Sequence, residues 1–112
     1  YVNGEKTLGE NIGDNGGLNI AFRALQNSMK TKPLSDMDGF TPAQRFFLAW
    51  GRVWASNVAP QFVAYIVNSD VHSPSISRVN AALPMIDNWY DAFNIKEGDK
   101  LFVPQQSRAH IW

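Results

Sequence analysis

LGENIGDNGGLNIAFRALQNSM, residues 8–29, decides the fold class. Leu18, Ala21, Phe22, Leu25 and Met29 recur at helical spacing and form one apolar stripe, which argues for an amphipathic helix from about Leu8 to Met29. Gly13, Gly16 and Gly17 interrupt that span, each at a cost of up to about 1 kcal/mol against Ala, so a neighbour that demands small residues is expected beside them. The same stretch sets Glu10 and Asp14 four positions apart, which on a helix projects both carboxylates from one face. Two readings stay open. The acids form a solvated face near a helix N-terminus, where they suit the macrodipole. Alternatively, one binds a metal while the other steadies a ligand from elsewhere, since a ligating His usually donates its second N–H to a carboxylate.

Downstream, KTKPLSDMDGF has the Pro, Ser, Asp and Gly content of a loop, and Thr41, Pro42 and Gln44 then make a capping box with Pro at the first helical position. Phe46, Trp50, Val53, Trp54 and Asn57 continue with a period near 3.6, predicting a helix from about Pro42 to Val58 that is deeply buried on one side. The Phe and Trp stripe reads as core, with no chemistry assigned to it. A shorter helix from about Pro60 to Asn68 is followed by the loop DVHSPS and by a helix near Ile76 to Leu83, with Ser75 as its cap and Pro84 as its end. Ile86, Trp89, Tyr90 and Phe93 give another amphipathic segment, and NIKEGDKLFVPQQSRAHIW reads as an irregular tail with a short extended piece. No convincing strand pattern, internal repeat or low-complexity tract is present. The chain is expected to be mostly α, a single helical unit over residues 1–112.

With 112 residues the chain can bury about two thirds of its unfolded surface, enough for a real core. Ten Lys and Arg balance ten Asp and Glu and fall singly, which argues against a nucleic-acid or anionic-membrane footprint. No apolar run approaches the roughly 18–20 residues of a membrane span, and YVNGEKT lacks the basic and apolar regions of a signal peptide. A start at Tyr1 suggests a piece of a longer product. The absence of Cys excludes disulfides and thiolate metal sites without naming a compartment; an exported protein is the expectation.

His72, in a loop between Asp70 and Pro74, is either a solvent-facing histidine or a donor to a developing oxyanion. Arg78, six residues on, is either a surface arginine or a two-pronged grip on a carbonyl or carboxylate.

VNGEKTLGENIGDNGGLNIAF, DGFTPAQRFFLAW, DVHSPSISRVNAAL, DAFNIKEGD and the closing IW together resemble the C-terminal part of a neprilysin-like zinc endopeptidase, running in order from Val2 to Trp112. GENIxD followed by DVHSP is the specific part of the match. The resemblance implies the helical C-terminal portion of a thermolysin-like metallopeptidase catalytic domain. It implies that Glu10 is the third protein ligand of a catalytic Zn2+ and that Asp14 hydrogen-bonds a zinc-binding His. His72 would stabilise the oxyanion with Asp70 orienting it, and Arg78 would grip a substrate backbone carbonyl or carboxylate. A carboxylate oxygen suits a His, His, Glu zinc set with an open fourth position, and the implied reaction is water attack on a peptide bond.

Part of the family's machinery is missing from these residues. The HExxH helix, which would bring two His ligands and the general-base Glu, is absent, and the only histidines are His72 and His110. The fragment is therefore expected to bind zinc weakly and to cleave nothing alone, with an upstream HExxH-bearing part of the same protein as its partner and small peptides as substrates. Ala109 falls where many animal relatives carry a disulfide-forming Cys, which favours a bacterial member. Loss of upstream elements would bare the face carrying Glu10, Asp14 and part of the Leu18 stripe, so self-association of the isolated piece is a further expectation. The competing reading is a helical scaffold or interaction domain descended from such a peptidase, without metal or catalysis.

Overall fold

The computed structural model describes residues 1–111; Trp112, the end of the IW block, lies outside the described residues. Among the described residues no strand forms, and the elements are α1 (Gly4–Thr31), α2 (Pro42–Val53), α3 (Pro60–Ser69), α4 (Ser75–Asn80) and α5 (Asp87–Phe93). Short 3-10 turns stand at Leu83–Met85 and Gln105–Ser107. The expected mostly-α class holds. No helix among these residues is long and apolar enough to cross a membrane.

α1 starts before Leu8 because Asn3 caps it, its side chain accepting the Lys6 N–H at 3.1 Å. The expected neighbour beside the glycines is not there for two of them: a Cβ at Gly13 or Gly17 would meet nothing within 4 Å among the described residues. Gly16 is buried. The loop after α1 closes on itself through Met37 and Phe40, bonded at 2.9 and 3.0 Å around Asp38 and Gly39, both at positive φ as a tight primed turn requires.

α2 opens on the expected capping box. Gln44 donates its N–H to Thr41 Oγ1 at 3.2 Å, and Thr41 donates its own to Gln44 Oε1 at 3.0 Å. The helix stops at Val53 rather than Val58, because its last turn tightens, with Ala55 N–H on the Arg52 carbonyl at 3.2 Å, and Pro60 holds Ala59 extended. Its burial is narrower than expected: Phe47 alone is fully buried, while Phe46 and Trp50 are half-buried. α4 begins at Ser75 itself, with Pro74 in the cap position and no side-chain cap, so Ser75 does not play the role expected of it. It ends at Asn80, not Leu83, since Pro84 has no N–H to give the Asn80 carbonyl. Pro84 sits instead in the separate 3-10 turn.

The core gathers Leu18 and Phe22 of α1, Phe47 of α2, and Leu83, Ile86, Trp89 and Tyr90. Phe22 stacks on Phe47 with centroids 5.1 Å apart and meets Phe46 edge-on at 5.2 Å. Gln44 ties α2 to α5 by donating to the Ala92 carbonyl at 2.9 Å. The tail after Asn94, whose left-handed backbone ends α5, has no extended piece that pairs as a strand. It is pinned by side chains instead. Tyr90 Oη donates to the Pro84 carbonyl and accepts the Val103 N–H, each at 2.9 Å. Arg108 lies 3.4 Å over the Tyr90 ring and pairs with Asp87 at 2.7 Å.

Candidate functional site

The first half of α1 runs alongside the segment from Asn68 to Arg78, and polar side chains stitch the two together. Lys6 Nζ donates to the Asn68 carbonyl at 3.0 Å, and Ser73 Oγ donates to Asn11 Oδ1 at 2.8 Å. Ser73 is buried, which makes this contact a fixed point of the loop.

Glu10, one helical turn from Asn11's far neighbour Asp14, faces His72: Oε2 lies 3.1 Å from Nε2. The other ring nitrogen, Nδ1, lies 2.7 Å from Asp70 Oδ1, and the same oxygen accepts the His72 backbone N–H at 3.0 Å. This tight turn holds the imidazole between two carboxylates. The backbone N–H of His72, followed by its ring, holds the Asp70 carboxyl below the usual carboxylate range. His72 and Glu10 keep 42% and 45% of their side chains exposed, so both remain within reach of a ligand.

Asp14 and Arg78 are the deeper pair, with 8% and 14% of their side chains exposed. Arg78 donates from Nε to Asp14 Oδ2 at 2.7 Å and from Nη2 to Oδ1, a two-pronged contact across 64 residues of sequence. The hydrogen bond to Asp14 raises the Arg78 pKa above its ordinary value, against the opposing effect of burial. Of the face carrying Glu10, Asp14 and part of the Leu18 stripe, expected to lie bare, Asp14 and Leu18 are buried while Glu10 stays half-exposed and Ala21 exposed, and the large exposed apolar residues of α1 are Leu8, Ile12 and Ile20.

Beside this pair, Leu8, Ile12, Arg78, Ala81, Met85 and Ala109 are among the residues lining a mainly apolar cavity of about 190 Å³. Two residues that the sequence reading left as plain core also belong to the site. Trp54 places its ring 3.9 Å from the Arg78 guanidinium carbon, and Trp50 donates from Nε1 to the Arg78 carbonyl at 3.1 Å. The available signal was their i, i+4 spacing with two indole N–H groups on one helix face, which an all-apolar stripe would not carry.

Glu10, Asp14, Asp70, His72 and Arg78 therefore converge on one edge of α1. As a metal site they are partial. Among the described residues no group of three or more His, Cys, Asp or Glu side chains could hold a metal ion. Both Asp14 oxygens are engaged by Arg78, whereas Glu10 Oε1 has no hydrogen-bond or ion-pair partner among the described residues, so Glu10 has the chemistry of a single hard-oxygen donor to zinc.

Residues 1–109 match the family model of peptidase family M13. Human neprilysin is 34% identical over 116 aligned residues, covering 100% of this chain and 15% of neprilysin. A neutral endopeptidase of Lactococcus lactis subsp. lactis is 29% identical, over 99% of this chain and 16% of its own length. The solved zinc metalloprotease Zmp1 of Mycobacterium tuberculosis, in its open state, superposes with a TM-score of 0.95 at 39% identity, over 100% of this chain and 17% of Zmp1. The chain thus spans about 15% of the length of the curated relatives it matches.

Proposed function

Because the chain belongs to peptidase family M13, we propose that it forms the C-terminal wall of the active site in a zinc-dependent endopeptidase acting on small peptides. What carries this reading is the convergence of Glu10, His72, Asp70, Asp14 and Arg78 on one edge of α1. The rest of the catalytic set, including the HExxH helix, lies in an upstream part of the same protein.

Glu10 would hold the zinc through its open oxygen. When bound, the metal supplies Lewis-acid polarisation and a water of lowered pKa. Asp14 keeps acceptor capacity beyond the two bonds from Arg78, since a carboxylate offers about four lone-pair sites, and it steadies a zinc-binding His with the remainder. His72 Nδ1–H is spent on Asp70, so donation to an oxyanion comes from a protonated Nε2, at the edge of the ring that faces Glu10. Asp70 fixes that edge. Arg78 binds a substrate carbonyl or carboxylate through the part of its guanidinium that Asp14 leaves over. Alone, the chain offers one zinc ligand of three and is expected to cleave no peptide.

The test is Glu10→Gln in the complete protein, with metal content and peptide cleavage measured together. Both are expected to fall to background; stoichiometric zinc with normal turnover overturns the ligand assignment.

A further inference from the structure

α4 is six residues long, has no side-chain cap at its start, and carries Arg78 in its second half. A helix leaves its last four carbonyls without partners of its own, and in α4 the Arg78 carbonyl is one of them. Its partner is the indole N–H of Trp50 at 3.1 Å, reaching across 28 residues from α2. α2 is the better anchored of the two helices: a capping box fixes its start, Phe47 is buried in the core, and Gln44 ties it to α5. Trp50 also stands edge-to-face against Trp54 at 5.5 Å and 70°, and Trp54 backs the Arg78 guanidinium. The C-terminal end of α2 thus holds Arg78 at both ends, the main chain through Trp50 and the guanidinium through Trp54, the residue that caps the helix. Asp14 takes Nε and Nη2. Nη1 is left as the guanidinium nitrogen with no hydrogen bond among the described residues, and its direction is set by the other three contacts.

We propose that Trp50 is a positioning residue for substrate binding: its indole N–H fixes the backbone of Arg78 so that Nη1 is aimed at a substrate carbonyl. This rests on the reading of Arg78 as the substrate-binding arginine. Trp50 itself touches no substrate.

The experiment uses the complete protein and a peptide substrate. Trp50→Phe keeps an aromatic ring against Trp54 and removes the N–H donor together with part of the indole's volume. KM is expected to rise about threefold to tenfold, the size of one neutral hydrogen bond, with kcat and zinc content unchanged and the melting temperature only slightly lowered. Arg78→Lys is measured alongside, since it keeps a charge for Asp14 but loses the forked geometry, and KM is expected to rise further. In the double variant, Trp50→Phe is expected to add nothing to Arg78→Lys, because the two act through one group.

Wild-type kinetics in Arg78→Lys would overturn the reading of Arg78 and the proposal with it. A raised KM in Arg78→Lys with wild-type kinetics in Trp50→Phe, or with an undiminished Trp50→Phe effect in the double variant, overturns the positioning role alone.

Discussion

The two halves of α1 do different work. The second half sends Leu18 and Phe22 into an aromatic core against Phe47, and its contribution is hydrophobic burial. The first half holds Glu10, Asn11 and Asp14 against His72, Ser73 and Arg78, and its contacts are hydrogen bonds and ion pairs. The half-exposed Glu10–His72 contact adds little net stability, the largely buried Asp14–Arg78 pair is costly to break, and both fix directions. Folding energy comes chiefly from the apolar stretch and site geometry from the polar one, and substitutions in each, the largely buried Asp14–Arg78 pair aside, should give separable effects.

The largest expected effect lies in the core half. Phe47→Ala removes a side chain that is 1% exposed and should cost about 3–5 kcal/mol of stability in urea unfolding, enough to unfold a marginal domain. A loss below about 1 kcal/mol would place the stability elsewhere. At the polar end, His72→Ala should leave the unfolding midpoint nearly unchanged while turnover of the complete protein falls, with a loss of up to about 3–4 kcal/mol in transition-state stabilisation. An unmoved rate would remove His72 from the oxyanion role.

The pH dependence follows from Asp70. Its pKa is held down in the folded state, chiefly by the His72 backbone N–H, so what it contributes is present above the unfolded-state value. That contribution is lost as pH falls through the lower folded value. An NMR titration of the Asp70 carboxyl should give a midpoint below the ordinary carboxylate range, with the His72 amide shifting in step; an ordinary midpoint would mean that the turn is open in solution. The smallest effect is Gly17→Ala, where the new methyl group meets nothing within 4 Å. It should stabilise the chain by up to about 1 kcal/mol in the same urea assay, and destabilisation would reveal a close neighbour.

The helical class and the main helices were legible because apolar spacing and the Thr41–Gln44 capping box are local signals. The candidate residues Glu10, Asp14, Asp70, His72 and Arg78 were legible through their motif order, and the structure brings all five to one edge of α1 without testing their roles. Less visible were the features that depend on distant partners. A period identifies the face of α2 that carries Trp50 and Trp54, but not that Arg78 will lie against it. The tail gave no periodic signal because Tyr90 and Arg108 hold it through side chains rather than a ladder. Pro84 was rightly read as a helix breaker, yet its effect reaches back to Asn80 because the missing N–H is the one that would bond four residues earlier.

The bonds that close the site are among the most distant in sequence: Asp14 to Arg78 spans 64 residues, and Asn11 to Ser73 and Lys6 to Asn68 each span 62. Contacts of such separation form late, after local helices and the loops between them have ordered. At a synthesis rate of about 5–20 residues per second, the 64 residues from Asp14 to Arg78 take roughly 3–13 s to be added. Through that interval the Asp14 carboxylate lacks its native partner Arg78, and the polar edge of α1 is completed only when the chain behind it arrives.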